Sequence, residues 1–274
     1  MRVYKINLII SKLIIIKFSI ASGMIISIIQ ARMGSKRLPG KTLMNIDGKK
    51  SVLEVVVNQI SESKLVDKIV VATSKSKKDD IIENFCSENH ITFFRGNQHN
   101  VLDRYFQCAK KFNPDVIVRI TADCPLIEPQ IIDKVIKKFL KNNFDYISNN
   151  KPRTFPYGMD LEVFSFNTLT KCFQEAKLPS ELEHVTPYIY NNPKKFKIGF
   201  LKNKNNFSKI RITVDRENDI KLIRKIMKKI KNRPILLVDL LNLYNKEPKI
   251  FQINQSYVTD EGYLDSIKKD NLKK

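Results

Sequence analysis

The stretch MIISIIQARMGSKRLPGK, residues 24–41, joins an apolar run directly to a basic loop. Residues 24–29 form the apolar part and end at a polar loop, which is the pattern of a buried parallel strand. Small residues in such a loop let the backbone approach a ligand and offer N–H donors to anionic oxygens. The loop lacks both GxxxxGK[ST] and GxGxxG spacing, so a plain basic surface loop is the alternative interpretation. The small residues are Ala31, Gly34, Ser35 and Gly40, and the basic residues are Arg32, Lys36, Arg37 and Lys41.

Strand and helix patterns alternate after this stretch. β-Branched apolar runs alternate with segments whose apolar residues have helical spacing, which predicts βαβ units and an α/β fold with a mostly parallel sheet. The predicted strands are 24–29, 68–72, 91–94 and 116–120, and the predicted helices are 52–60, 79–86, 101–112 and 130–140.

The pattern changes after residue 142. Runs at 146–148 and 161–164 flank a turn-rich segment, 151–158, which favours an inserted antiparallel hairpin over another crossover. A helix from Ser180 is predicted next, and the tail from residue 246 has no clear periodicity. The other predicted elements here are strands at 198–201 and 211–214 and helices at 219–230 and 235–244. We therefore expect one domain over residues 24–245, with an N-terminal extension (1–23) and a C-terminal tail (246–274).

The N-terminal extension has three interpretations. Its basic start and apolar run have the outline of a signal peptide, but Lys12 and Lys17 interrupt the run that a membrane-spanning helix needs. We favour a third interpretation, in which Met24 is the true start, and leave residues 1–23 out of the fold prediction.

Composition narrows the possible partners. The 49 Lys and Arg residues outnumber the 28 Asp and Glu residues and give a net charge of +21, but the excess is mostly lysine spread over helical segments. The abundance of Lys, Ile and Asn is typical of A/T-rich codon usage, and we expect neither a nucleic-acid nor a membrane partner. The cysteines show no CxxC or paired spacing, which fits a reducing cytoplasm without disulfides or a zinc site.

Two aspartates follow predicted strands. Asp123 comes just after 116–120, and Asp215 just after 211–214. Ligands of open α/β sheets bind at the carboxyl ends of strands, and Mg²⁺ needs only one or two carboxylates when substrate phosphates complete its shell. The structural alternatives are a turn residue before Pro125 for Asp123 and a helix N-cap for Asp215.

Several blocks of sequence, in order, carry a family resemblance. QARMGSKRLPGK, ATS (72–74), VLDRY (101–105), TADCPL (121–126), YGMDLEVF (157–164), EHVTP (183–187) and RITVD (211–215) extend over most of residues 24–244. Together they resemble the cytidylyltransferases that activate sugar acids as CMP-sugars, such as the CMP-Kdo and CMP-acylneuraminate synthetases. They are most similar to the relatives of these enzymes in spore-coat polysaccharide biosynthesis. The resemblance implies a Rossmann-like, three-layer α/β/α nucleotide-diphospho-sugar transferase fold.

The resemblance also implies roles for individual residues. Arg32, Lys41 and Asp123 would be catalytic, and Asp123 and Asp215 would hold Mg²⁺. The nucleotide would contact Ala31, Gly34, Ser35, Arg37, Thr73, Ser74, Arg95, Asp103, Thr121 and Ala122. The sugar would contact Tyr157, Asp160, Glu162, His184 and Thr186.

Some of these residues have structural alternatives. Asp103 is the third residue of a helix that Asn100 would cap, and Ser180 with Glu183 would form a capping box. Asp160 and Glu162 would share one face of a strand, which on an edge strand is simply a solvated face.

The resemblance thus implies a Mg²⁺-dependent enzyme that transfers CMP from CTP to a sugar acid and releases pyrophosphate. It further implies a homodimer formed through the region 151–164. The alternatives are a sugar nucleotidyltransferase that uses another nucleotide, a nucleotide-sugar glycosyltransferase, and a non-catalytic basic binding protein. The stretch Ala122–Asp123–Cys124–Pro125 has one Asp, whereas those glycosyltransferases usually carry Asp-x-Asp. The binding-protein alternative predicts aromatic residues interleaved with basic ones on one face, and the sequence shows no such pattern.

Overall fold

A seven-stranded sheet runs through the centre of the protein. The computed structural model describes residues 23–272. The sheet strands are β1 (Ile25–Gln30), β4 (Lys68–Ser74), β5 (Phe93–Gly96), β6 (Val116–Thr121), β7 (Tyr146–Ser148), β8 (Glu162–Ser165) and β9 (Ile198–Phe200), and a separate hairpin contains β2 (Asn45–Asp47) and β3 (Lys50–Ser51). Across the sheet the strands lie in the order β5-β4-β1-β6-β8-β7-β9.

Helices cover both faces of the sheet. The helices are α1 (Val52–Ser61), α2 (Asp80–Glu88), α3 (Val101–Phe112), α4 (Pro129–Asn142), α5 (Phe166–Glu175), α6 (Pro179–His184), α7 (Pro187–Tyr190), α8 (Glu217–Lys229), α9 (Leu237–Lys246) and α10 (Glu261–Asn271). Central strand β1 is apolar on both sides, with Ile29 in one core cluster and Ile28 in the other. The cluster with Ile29 includes residues of α1, α4 and α8, and the cluster with Ile28 includes residues of α3 and α5. The predicted α/β fold is confirmed.

Strand direction changes in one half of the sheet. β1 pairs in parallel with β4 and β6, which places the ends of these strands at the same edge. β8 runs antiparallel to both β6 and β7. The antiparallel insertion is therefore confirmed, but β8 lies inside the sheet and not at its edge.

The later part of the chain differs from the prediction in several places. Residues 211–214 form no strand; Arg211 makes only an isolated bridge with Tyr157. Gly158 allows the chain to pass close to the segment 211–214. Its φ is +111°, and a Cβ there would lie 2.5 Å from the Thr213 backbone N. Helix α5 was not predicted, and the tail after residue 246 contains a 3-10 helix, Pro248–Asn254, and helix α10.

The expectations about the N-terminal extension concern positions 1–22, which lie outside the described residues. Within residues 23–272, no helix has the length and apolar character required to cross a membrane. All four cysteines are buried and free.

Candidate functional site

A cavity of about 760 Å³ opens at the carboxyl ends of β1 and β6. Most of the residues that the sequence analysis singled out line it, although they come from segments far apart in the chain. These are Ala31, Arg32, Gly34, Ser35, Arg37, Lys41, Thr121, Ala122, Asp123, Tyr157, Asp160, Glu162, His184, Thr186 and Asp215.

The basic loop after β1 turns back on itself to present Lys41. Gly40 has a φ of +75°, a left-handed conformation that favours glycine, and its N–H donates to the Met33 carbonyl at 3.2 Å. The Thr42 hydroxyl ties the start of the same loop by donating to the Arg32 carbonyl at 2.9 Å. A short 3-10 helix then begins at Lys41. These contacts hold the backbone in place on both sides of Lys41.

The Lys41 ammonium lies between the two aspartates. Its Nζ donates to Asp123 at 2.7 Å, to Asp215 at 2.8 Å and to the Val214 carbonyl at 2.8 Å. Burial lowers the pKa of Lys41, but the two carboxylates outweigh this effect and hold the pKa above its ordinary value. Burial would likewise raise the pKa of Asp123, yet the Lys41 charge and hydrogen bonds bring it down to about 2.

Asp215 belongs to this cluster and does not cap α8. The carboxylate that accepts from the backbone N–H groups of Asp215 and Arg216 is that of Asp219, at 2.9 Å in both cases. This leaves Asp215 free to accept from the Arg37 guanidinium at 2.7 Å as well as from Lys41. The N-cap interpretation of Asp215 is therefore wrong.

These two carboxylates fit a divalent cation that has further ligands from a substrate. Asp123 and Asp215 both reach one cationic atom, Lys41 Nζ, so both can approach one metal ion. Within the described residues there is no group of three or more His, Cys, Asp or Glu side chains placed to hold a metal. Two aspartates without a third protein ligand suit Mg²⁺, which keeps waters and binds substrate phosphates.

The other end of the cavity centres on Glu162. This carboxylate is buried, pairs with the Arg119 guanidinium and accepts from the Tyr146 and Thr186 hydroxyls. Because β8 lies inside the sheet, the edge-strand alternative for Glu162 is wrong. Its hydrogen bonds give it a positioning role for Arg119 and Thr186.

Asp160 precedes β8 and, unlike Glu162, pairs with Arg153. Burial raises its pKa to about 7, although the Arg153 guanidinium at 3.2 Å opposes the shift. The Tyr157 ring packs against the same Arg153 guanidinium, at 4.5 Å from ring centroid to Cζ.

His184 ends helix α6 and faces the C-terminal helix. Its Nε2 lies 2.9 Å from the Ser266 hydroxyl, and its ring makes an edge contact with Tyr263. Burial and the nearby Arg119 charge lower the pKa of His184 to about 4, so the imidazole is neutral at pH 7. The predicted capping box of Ser180 and Glu183 is wrong, because α6 begins at Pro179 and Glu181 accepts the backbone N–H groups before it.

Helix α10 and the residues before it form a cavity wall that the sequence analysis missed. Glu261 accepts from Arg37 at 3.0 Å and from Arg216 at 2.8 Å, and Asp260 pairs with Arg153. The inward residues of the helix have 3- and 4-residue spacing, but Ser266 and Asp270 are polar, so hydrophobic periodicity could not reveal them. Other cavity residues that the prediction missed are Arg119, Lys151, Arg153 and Tyr190.

Four predicted nucleotide-binding residues do not line the cavity. Thr73 and Ser74 are buried at the end of β4, and Arg95 pairs with Asp80 and Glu83. Asp103 is the third residue of α3, and its backbone N–H donates to the Asn100 side chain at 2.8 Å. The cap by Asn100 is therefore confirmed.

The chain is similar to known proteins over most of its length. A family model described as "Cytidylyltransferase" matches residues 26–255. The chain is 39% identical over 241 residues to the uncharacterized protein MJ1063 of Methanocaldococcus jannaschii, covering 87% of this chain and 97% of that one. It is 34% identical over 234 residues to the spore coat polysaccharide biosynthesis protein SpsF of Bacillus subtilis, covering 82% and 95%. A solved cytidylyltransferase from Leptospira borgpetersenii has a TM-score of 0.81 at 34% identity, covering 86% and 99%.

Proposed function

The chain belongs to the cytidylyltransferase family, and on that premise we propose that it transfers CMP from CTP to a sugar acid, of the acylneuraminate or Kdo type, with release of pyrophosphate. The product would serve surface polysaccharide biosynthesis, in keeping with the name of the Bacillus subtilis relative. The single observation that carries this proposal is the Lys41 ammonium bound by both Asp123 and Asp215 at the end of a basic loop.

The proposed reaction is an in-line displacement at phosphorus. The oxygen of a sugar hydroxyl bonds to the α-phosphorus of CTP, the bond from that phosphorus to the pyrophosphate oxygen breaks, and the hydroxyl proton is lost to solvent. Positioning and charge neutralisation supply most of the rate in such a transfer. Lys41 would neutralise charge at the α-phosphate, while Arg32 and Arg37 would hold the outer phosphates.

We propose Mg²⁺ as the metal, held by Asp123 and Asp215. When bound, it would neutralise phosphate charge and orient the triphosphate. Lys41 must then share or give up its contacts with the two carboxylates, which leaves its ammonium free to bind a phosphate oxygen.

The acceptor would occupy the end of the cavity beyond Glu162. His184 and Thr186 line the cavity, where the His184 Nε2 contacts Ser266 and the Thr186 hydroxyl donates to Glu162, and Tyr190 and Tyr263 supply aromatic surface. We further propose a cytoplasmic homodimer that associates through the region 151–164, to be checked by light scattering on the purified protein.

The first test is pyrophosphate release from a panel of nucleoside triphosphates against a panel of sugar acids. We expect turnover with CTP and Mg²⁺, and thermal stabilisation by CTP with Mg²⁺ because the ligand binds only the native state. Equal or greater stabilisation by ATP, GTP or UTP would rule out the cytidylyl assignment.

The second test addresses the metal site. Asp123→Asn and Asp215→Asn should each raise the Mg²⁺ concentration for half-maximal rate, and the double variant should lose less than the sum because the two residues act as a unit. Glu217→Gln, an exposed acid two residues beyond Asp215, is the matched control. Unshifted Mg²⁺ curves with additive rate losses would contradict a shared site.

A further inference from the structure

Asp219 is a buried carboxylate that contacts the backbone of Asp215. It is the third residue of α8 and is 0% exposed. The Arg211 guanidinium donates to it through Nε and Nη2, at 2.8 Å in both cases. The Asn254 side chain donates at 2.8 Å, and the backbone N–H groups of Asp215 and Arg216 donate at 2.9 Å. Asp219 therefore ties the start of α8 to a buried arginine and to the backbone of Asp215.

A helix cap accounts for only part of these contacts. Asp239 has the same place in α9 and accepts the Leu236 backbone N–H at 3.0 Å. It is half-buried, it accepts from the Asn232 side chain at 3.0 Å, and it forms no ion pair in the described part of the chain. A buried ion pair is a weak source of stability, because desolvation offsets most of the attraction. Capping thus explains the backbone contacts of Asp219 but not its pairing with Arg211.

Arg211 links Asp219 to Asp215. Its Nη2 donates to Asp219 and also, at 3.3 Å, to Oδ2 of Asp215. Arg211 is 7% exposed and does not line the cavity, whereas Asp215 does. The other oxygen of Asp215, Oδ1, accepts from Lys41 at 2.8 Å and from Arg37 at 2.7 Å. One carboxylate oxygen therefore faces a buried cation, and the other faces two cations of the basic loop.

The cations on the two sides differ in how firmly they are held. Arg211 is fixed by its paired hydrogen bonds to Asp219. Lys41 and Arg37 belong to the loop that lines the cavity, and in the proposed mechanism both bind phosphate. Mg²⁺ demands near-ideal geometry from few protein ligands, and ligating carboxylates are themselves held by hydrogen bonds. Oδ1 of Asp215 is therefore the oxygen open to a metal, and Oδ2 is the one that fixes the side chain.

We propose that Asp219 and Arg211 position Asp215 for the metal ion. Asp219 holds the backbone N–H of Asp215, and Arg211 holds its Oδ2, so that Oδ1 remains for the cation. Both are positioning residues, because they act through Asp215. This inference rests on the proposed function, since it assumes that Asp123 and Asp215 bind Mg²⁺.

Removing the charge of Asp219 should weaken metal binding in two ways. The contacts that orient Asp215 become weaker, and Arg211 loses its own carboxylate and keeps Asp215 as its remaining charged partner. A guanidinium that binds Asp215 more tightly competes with a divalent cation for the same carboxylate. The metal requirement should therefore change more than the fold does.

The test compares Asp219→Asn and Arg211→Lys with Asp239→Asn. Asp219→Asn keeps the size of the side chain, and Arg211→Lys keeps a cation without the paired donors. Asp239→Asn is the matched control, because it alters the same position of a helix start away from the cavity. The measurements are the Kd for Mn²⁺ alone by electron paramagnetic resonance, the Mg²⁺ concentration for half-maximal pyrophosphate release from CTP, and the melting temperature.

We expect Asp219→Asn to weaken Mn²⁺ binding and to raise the half-maximal Mg²⁺ concentration, each roughly 10- to 100-fold. Arg211→Lys should shift both quantities in the same direction. Most of the wild-type rate should return at saturating Mg²⁺, because the lost quantity is metal affinity. Asp239→Asn should lower the melting temperature and leave both metal responses unchanged.

Lower melting temperatures with unchanged metal responses in Asp219→Asn and Arg211→Lys would overturn the inference, because they would indicate a structural role alone. An equal shift of the metal responses in Asp239→Asn would also overturn it. If Asp219→Asn does not fold, Arg211→Lys decides the question by the same criteria. A wild type that neither binds Mn²⁺ nor needs Mg²⁺ for turnover would overturn this inference alone. A wild type that releases no pyrophosphate from CTP would contradict the proposed function, whereas the Mn²⁺ titrations would still decide the role of Asp219.

Discussion

The Lys41 ammonium acts as the counter-ion of Asp123 and Asp215. Its side chain is 13% exposed, and without it two carboxylates would face each other across a mostly enclosed space. If the proposed metal binds here, stability and metal binding would be linked at this residue, because a divalent cation would replace the ammonium between the same two side chains.

Replacing Lys41 with alanine should expose this linkage. We expect the free energy of unfolding without metal to fall by about 1–3 kcal/mol, since a charged group loses its partner, and turnover to fall on the order of 10²-fold or more. Millimolar Mg²⁺ should raise the melting temperature of Lys41→Ala more than that of the wild type. Lys50→Ala, at an exposed lysine, serves as the control in the same thermal titration. Equal responses to Mg²⁺ would contradict the shared position of ammonium and metal.

His184 makes the stability of the site depend on pH. Its pKa is lowered to about 4 in the folded protein, against an ordinary value near 6.5, so the unfolded chain binds the proton first as pH falls. The contribution is therefore complete above pH 6.5 and is lost as pH falls toward 4. His184→Gln should lose a few degrees less in melting temperature between pH 7 and pH 5 than the wild type does, at about 2–4 °C per kcal/mol. Parallel melting curves for the two proteins would show that the imidazole does not titrate in this way.

At the scale of elements, helix α10 joins the site through polar contacts. Asp270 accepts the backbone N–H of Ser180 near the start of α6, Ser266 contacts His184, and Glu261 contacts Arg37. Arg37 is also placed to hold phosphate in the proposed mechanism. A triphosphate and the Glu261 carboxylate would thus compete for the same guanidinium.

Glu261→Gln should therefore strengthen nucleotide binding. We expect the dissociation constant for CTP with Mg²⁺ to decrease by up to about fivefold, the factor that one solvent-screened ion pair can supply. Calorimetric titration of the variant, with Glu217→Gln as a matched carboxylate-to-amide control, measures this effect. A weaker affinity for CTP would mean that Glu261 orients Arg37 for the nucleotide and does not compete with it.

The elements that could be predicted from the sequence are those stabilised by apolar burial. Residues 24–29 and 116–120 were found because β-branched residues fill both faces of a central strand, and that placement brings Asp123 to the site. The segment 211–214 also carries β-branched residues, but it has no neighbouring strand to pair along its length, and the Ile212 N–H donates to the Tyr157 carbonyl at 2.8 Å instead. Helix α10 was not predicted because its inner face is held by hydrogen bonds and ion pairs. Such contacts leave no periodic apolar pattern in the sequence.

At the scale of the whole molecule, the net charge of +21 produces long-range repulsion. Most of the lysines are exposed, and salt shortens the range of such interactions to about 10 Å at 0.1 M. We expect the melting temperature at pH 7.5 to rise by a few degrees between 20 and 500 mM NaCl, because relief of repulsion exceeds the loss of surface ion pairs. A falling melting temperature in the same fluorescence scan would show that the ion pairs dominate.

The contact between Arg37 and Glu261 joins positions 224 residues apart in the chain. Contacts of such separation close large loops, and they become favourable only after the intervening sheet has formed. During refolding, the strand ends around Lys41 should therefore assemble before α10 docks. During refolding, the affinity for CTP should therefore return before turnover does. The delay between the recovery of CTP binding and the recovery of turnover would measure how long α10 takes to dock.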